Sequence, residues 1–405
     1  MSDTRHQRTS KLFLFCLTSA LMIALMNSSA PTPLYPLYKE RLQLHAVDLT
    51  YIFGAYGAGV LLSLSTVASI AGRMNNLRYL LFPAALLVLL GAGLFAHGHS
   101  LWQLCTARLV SGMGAGAMTC GINCALVRFG PTDNGKLAAL LATLAMVMGL
   151  ALGPVISGVA LQWDLFPFAS PFWTIMVLIV IATSGVLLLW PYTTHTHATS
   201  ASNSHVISLP KALDGIGVRF HVYAWSVFFS WSFAACLFVM GPSASEQLLG
   251  VSDRGTFGYV IAIYLLFAGA SQLICHRFEA SQALISGLLA HCMALLILLM
   301  GLDTHSLALS IGALLIGGYA YGAIFVGSAR LINQLAPAHC HARLVSYFYM
   351  TVYLFNAVPI PLGMMVDAFG ISRAVTCSLL TLLLIAVLLL GATIRTLSPK
   401  QQSPA

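Results

Sequence analysis

Charge is what this sequence has least of. Asp, Glu, Lys and Arg make up 7% of its 405 residues, where a soluble domain carries roughly a quarter. Eleven residues are acidic, and none sits in the middle of a long apolar run; Asp48, Glu246 and Asp367 come nearest, each beside the end of one. The run interiors therefore lack a carboxylate whose proton a membrane-embedded enzyme or pump could use. No phosphate loop, nucleophile elbow or HExxH stretch occurs, which argues against ATP hydrolysis and proteolysis, and no catalytic residue is expected. Nine cysteines are present without a disulfide framework, since eight lie in or at the ends of apolar runs and Cys340 in a polar segment. His195, His197 and His205, and the trio His339, Cys340 and His341, have no partners at metal-site spacing. Neither a metal nor another cofactor is expected.

What fills the chain instead is apolar: 59% of residues are hydrophobic. Twelve runs are long enough to cross a hydrocarbon core about 30 Å thick. They cover 12–34, 50–72, 79–97, 101–127, 138–162, 171–191, 221–243, 257–275, 281–301, 305–330, 344–366 and 373–394. No ten-residue alternation points to a membrane barrel, so the expected fold is all-α, with twelve transmembrane helices. The first run exceeds a signal-peptide core, and Pro31 follows its one small-residue cleavage candidate, so it reads as a retained helix.

Charge placement orients these spans. With both termini on one side, that side's loops and tails collect fourteen of the nineteen basic residues and the opposite loops four: Lys39, Arg41, Arg254 and Arg373. The positive-inside bias places both termini in the cytoplasm and accounts for the net charge of +8 without a nucleic-acid partner. The absence of a glycosylation sequon in the outer loops fits a bacterial inner membrane. A green fluorescent protein fused after Ala405 should therefore fluoresce, and alkaline phosphatase fused there should be inactive. Active phosphatase would overturn the orientation and the even span count together.

A Ser-, Thr- and His-rich polar stretch lies near mid-chain. It separates an expected N-terminal bundle, 1–190, from a C-terminal bundle, 221–396, with 191–220 as cytoplasmic linker and 397–405 as tail. The halves repeat each other: Gly112, Gly116, Ala117, Gly121 and Pro131 recur as Gly318, Gly322, Ala323, Gly327 and Pro337, each displaced by 206 positions. Parallel six-helix repeats with a substrate site at their interface are a transporter architecture.

One basic residue, Arg108, stands inside an apolar run, at the start of an R-x-x-x-G-x-G-x-G pattern with Gly112, Gly114 and Gly116. Gly112 and Gly116 share its face, where missing side chains let another helix approach. An arginine at mid-membrane costs roughly 2.5–3.5 kcal/mol on insertion scales. Something must offset that cost: the polar face of the first span near Asn27, or water and a ligand in a cavity. In the fifth span, Gly149, Gly153, Pro154 and Gly158 form a bent, closely packing stretch.

These stretches resemble motifs B and C of the major facilitator superfamily, the latter associated with exporters that work as antiporters. Ser157 departs from motif C, standing where the first of its paired glycines is expected, and Leu140 replaces an upstream glycine. Motif A is degraded: Gly72, Arg73 and Arg78 fit its ends, but its aspartate is missing. The resemblance covers nearly the whole chain outside termini and linker. It implies two pseudo-symmetric six-helix bundles that alternate access to a central site, acting as a monomer in the lipid bilayer.

The lining expected for that site is Asn27, Tyr56, Arg108, Asn123, Trp231, Tyr264, Tyr321, Tyr353 and Asn356, an aromatic-rich set suited to planar or amphipathic ligands. The resemblance implies secondary active efflux of a drug or metabolite, with protons as the coupling ion. The alternatives are an uptake permease or facilitator for a small, anionic metabolite, and a transport-inactive sensor. Coupling would fall to Glu246 or Asp367, to a histidine such as His291, or to the substrate's own charge.

Overall fold

A computed structural model describes residues 2–71, 74, 76–131, 135–191, 216–337 and 341–397. Most of the linker, the tail, Gly72 and Arg73 of the degraded motif, and His339 and Cys340 lie outside the described residues. Among the described residues there is no strand, and twelve helices are long and apolar enough to cross a membrane. The fold is all-α.

Spans two to six are Ala46–Ala71, Arg78–Ala96, Leu101–Phe129, Lys136–Gln162 and Ser170–Leu188; spans seven to ten are Gly217–Leu249, Thr256–Cys275, Ala280–Asp303 and Leu307–Leu335; span twelve is Ile371–Leu397. Two spans are broken. Span one runs as an α-helix over Ser2–Ser29, tightens into a 3-10 turn at Thr32–Leu34 and resumes as Tyr35–Leu42. Pro31 and Pro33 supply no N–H to the helix before them and fix the turn. The helix therefore resumes beyond residue 34, where the expected span ends. Span eleven, expected as one helix, is His341–Tyr353, a 3-10 turn at Leu354–Ala357, and Pro359–Phe369. Pro359 and Pro361 explain that interruption, as they can start the second helix but not continue the first.

The chain forms two compact units: Met1–Ser200 with Asp253–Ala262, and Ala201–Ser252 with Ile263–Ala405. The first turns of span eight thus pack with the first unit. In that unit Phe13, Phe129 and Trp190 meet edge to face at 5.3–5.5 Å, and the Arg78 guanidinium lies over the Trp190 ring. Arg128 donates to the Met74 carbonyl at 3.1 and 3.2 Å. A backbone oxygen there holds the loop whose family aspartate is missing. The second unit has a core of Phe220, Val227, Leu284, Leu288, Ile324 and Phe348 from spans seven, nine, ten and eleven. Large apolar side chains such as Phe15, Tyr79, Leu188 and Leu384 point outward, as surfaces solvated by lipid do.

The internal repeat extends into the packing. Side chains added at Gly112 and Gly116 would strike Tyr56 and Ser63 of span two; at Gly318 and Gly322 they would strike Tyr264 and Ser271 of span eight. Tyr56 and Tyr264 are 208 positions apart, as are Ser63 and Ser271. The same close helix contact is built twice.

Candidate functional site

The break in span one creates a need for donors. In a continuous helix the Asn27, Ser28 and Ser29 carbonyls would accept from residues 31, 32 and 33, but 31 and 33 are prolines and residue 32 already belongs to the 3-10 turn. Arg108 of span four meets part of that need: its Nη1 donates to the Ser28 carbonyl at 2.7 Å and reaches the Asn27 carbonyl at 3.4 Å. The side chain is 1% exposed, so it is enclosed by protein and does not snorkel to an interface. Its guanidinium lies 4.5 Å from the centre of the Tyr56 ring. The buried Tyr35 hydroxyl interacts with the guanidinium, although neither it nor Nε makes a hydrogen bond of standard geometry among the described residues. The carbonyl end of a helix is the negative end of its dipole, so a cation is stabilised there without a carboxylate. Asn27 is also fixed from the side, donating from Nδ2 to Ser111 Oγ at 3.1 Å.

Span five closes on the same break. A Cβ at Gly149 would meet the Met22 carbonyl, and one at Gly153 would meet the Met26 carbonyl and Ser29 Oγ. Ser157, the departure from the family motif, is fully buried and donates to the Ala30 carbonyl at 2.6 Å. A glycine could not supply that donor. The next residue, Gly158, approaches the Gly255 carbonyl, 2.8 Å from where its Cβ would stand. Around this crossing Tyr259 donates to Gln162 at 2.9 Å and Arg254 pairs with Glu40 through two bonds of 2.7 and 2.9 Å. The remaining motif B glycine, Gly114, packs on Val88 of span three.

In the second unit, rings gather from spans seven, ten and eleven. Trp231 stacks face to face on Tyr321, with centroids 5.4 Å apart and planes 6° apart. Phe325 and Phe355 flank it at 5.3 and 5.4 Å, and Tyr353 stands edge-on at 6.5 Å. Tyr264, 1% exposed, meets Tyr321 edge to face at 6.1 Å. Two hydrogen-bonding groups of this cluster, Trp231 Nε1 and the Tyr264 hydroxyl, are buried with no hydrogen-bond partner among the described residues.

The sequence-derived candidates therefore fall into two groups. Asn27, Tyr56 and Arg108 come together in the first unit; Trp231, Tyr264, Tyr321 and Tyr353 come together in the second. Asn123 joins neither: it is exposed, fifteen residues from Arg108 on the same helix, hence about 22 Å away along the axis. Asn356 is buried beside Tyr353 but turns its amide to the Tyr353 carbonyl at 3.0 Å, a local bond within the 3-10 turn. Glu246 and Asp367 lie at the far ends of spans seven and eleven, fifteen and fourteen residues beyond Trp231 and Tyr353. Phe325, Phe355, Ser111 and Ser157 were not among the sequence candidates. The proline spacing at 31 and 33 was the available signal for the carbonyls that Arg108 serves.

The family model of the Major Facilitator Superfamily matches residues 17–359. Among curated relatives, a putative multidrug resistance protein MdtD of Pectobacterium atrosepticum is 25% identical over 166 residues, covering 41% of this chain and 33% of the relative. The protein of that name from Citrobacter koseri is 26% identical over 222 residues, covering 53% of this chain and 45% of the relative. The matched segments thus span less than half the length of these relatives. Among solved structures, a bacterial homolog of the human lysosomal transporter Spinster, inward-facing and occupied, superposes with a TM-score of 0.75. It is 15% identical, with 97% of this chain and 98% of that chain covered. The nucleoside transporter NupG gives a TM-score of 0.71 at 12% identity, with 97% and 100% covered. These likenesses carry the fold.

Proposed function

Because this chain belongs to the Major Facilitator Superfamily, and so is a multi-pass membrane transporter and not an enzyme, we propose that it exports a small organic molecule from a bacterial cell in exchange for protons. The carrying observation is the packing of span five on the break in span one: Gly149 and Gly153 admit no side chain, and Ser157 holds the Ala30 carbonyl. This is the stretch that resembles the exporter motif. The partial matches to proteins named for multidrug resistance point the same way. The bundles 1–190 and 221–396 would alternate access, with both termini cytoplasmic and the protein acting as a monomer. The enclosure of Arg108 by protein and the commitment of its Nη1 to backbone carbonyls speak against the anionic-metabolite reading.

Export has a direct signature. Cells making the protein should retain less of a fluorescent apolar drug than cells carrying the empty vector, and a protonophore should erase the difference. Greater retention would mark uptake and overturn the assignment of direction.

Coupling falls on Glu246 and Asp367, the acidic residues nearest the span interiors of the second unit. Glu246→Gln or Asp367→Asn should flatten the pH dependence of transport, and the double variant should abolish it. An unchanged pH profile in the double variant would rule both out and leave His291, which is 2% exposed with neither ring nitrogen hydrogen-bonded among the described residues.

A further inference from the structure

The aromatic cluster of the second unit has more to say about the ligand than its ring content. Its ring faces are largely turned on one another: Trp231 lies flat on Tyr321, and Tyr264 meets Tyr321 edge-on. An aromatic ring attracts cations with its face and acceptors with its edge. What the cluster leaves unmatched is a donor pair flanking Tyr321, the Trp231 indole N–H and the Tyr264 hydroxyl. Indole N–H can only donate, and a buried donor without a partner costs about 1–3 kcal/mol. A ligand acceptor would recover that cost.

Charge decides what else the ligand carries. The acidic residues on the spans that bear Trp231 and Tyr353 are Glu246 and Asp367, fifteen and fourteen residues away. The repeat supplies no cation either: Leu314 occupies the position 206 residues beyond Arg108, so Tyr264 lacks the guanidinium that covers its counterpart Tyr56. From the two unmatched donors, the occupied ring faces and the missing charges, we infer that the cluster around Trp231 binds uncharged planar ring systems carrying a hydrogen-bond acceptor, such as a ring carbonyl, and discriminates against permanent cations. This inference rests on the reading of the chain as an exporter of small organic molecules and narrows the substrate class.

Three bicyclic probes of nearly equal size separate the contributions: N-methyl-2-quinolone (neutral, carbonyl acceptor), 1-methylnaphthalene (no acceptor) and N-methylquinolinium (permanent cation). Binding to the purified full chain in detergent, followed by tryptophan fluorescence and checked by calorimetry, should favour the quinolone about tenfold over the naphthalene, as one satisfied buried hydrogen bond implies. The cation should bind at least as weakly as the naphthalene. Trp231→Phe and Tyr264→Phe keep a ring and remove one donor each; either should bring the quinolone-to-naphthalene preference towards one, a ratio in which a loss of apolar contact common to both probes cancels. Binding of the cation as tight as that of the quinolone, absence of quinolone binding, or a full preference retained by both variants would overturn the inference. The drug-retention assay in cells reads export independently, so exporter activity with no quinolone preference would sink the ligand class and leave the transporter reading intact.

Discussion

Arg108→Lys should reach the membrane in normal amount and lose at least nine-tenths of transport, and Arg108→Ala should lose as much or more and melt earlier in detergent. The guanidinium does three things at once: it donates to the Ser28 carbonyl, reaches the Asn27 carbonyl, and lies over the Tyr56 ring. A lysine ammonium is a point charge on a flexible stem and can replace one of these at a time. Losing one charge-assisted bond costs about 1.5–3 kcal/mol, and 1.4 kcal/mol is already a factor of ten in rate if the bond matters to the moving element. Alanine leaves the two carbonyls without their donor and a cavity beside them, so stability falls too. Transport rates at matched membrane levels, with melting temperatures beside them, check both parts. A fully active Lys variant would mean that position 108 needs only positive charge, and that the clamp on span one has no part in transport.

Gly153→Leu should reduce transport nearly to background while leaving folded protein in the membrane. Even a Cβ at this position would meet the Met26 carbonyl and Ser29 Oγ. A leucine forces spans one and five apart and pulls Ser157 from the Ala30 carbonyl it holds at 2.6 Å. Overpacking of this kind costs about 1–3 kcal/mol, less than a twelve-span protein needs to unfold but enough to bias a conformational equilibrium. Gly391→Leu on span twelve is the control, since nothing lies within 4 Å of the position a Cβ would take there. Equal activity of the two variants would reduce the packing of span five to passive filling.

Some of this was written in the residues and some was not. The spans were legible because twenty apolar residues in a row have few alternatives, and the end of helix in span one because Pro31 and Pro33 cannot continue it. Its resumption at Tyr35 was not legible, since it depends on burial of Tyr35 and Tyr38 in the first unit. In span eleven the continuous apolar run over 344–366 masks the break that Pro359 and Pro361 impose. Arg108 stood out as a charge among apolar residues; its partners did not, because a backbone carbonyl has no residue identity. Ser157 stands as a departure from a glycine motif, and its hydroxyl serves one of the carbonyls that the break leaves in need of a donor. Trp231, Tyr264, Tyr321 and Tyr353 could be picked out for their polar edges. Phe325 and Phe355 were lost among twenty-one phenylalanines with nothing to distinguish them.

The central claim, export of a small organic molecule against protons, is tested most directly in sealed proteoliposomes holding the purified protein and a pH-sensitive dye. Adding N-methyl-2-quinolone or a drug found in the retention assay, with no imposed pH gradient, should move protons in the direction opposite to the substrate, and Arg108→Ala vesicles should stay flat. Substrate entry at full rate with no dye response would contradict the account and make the protein a facilitator.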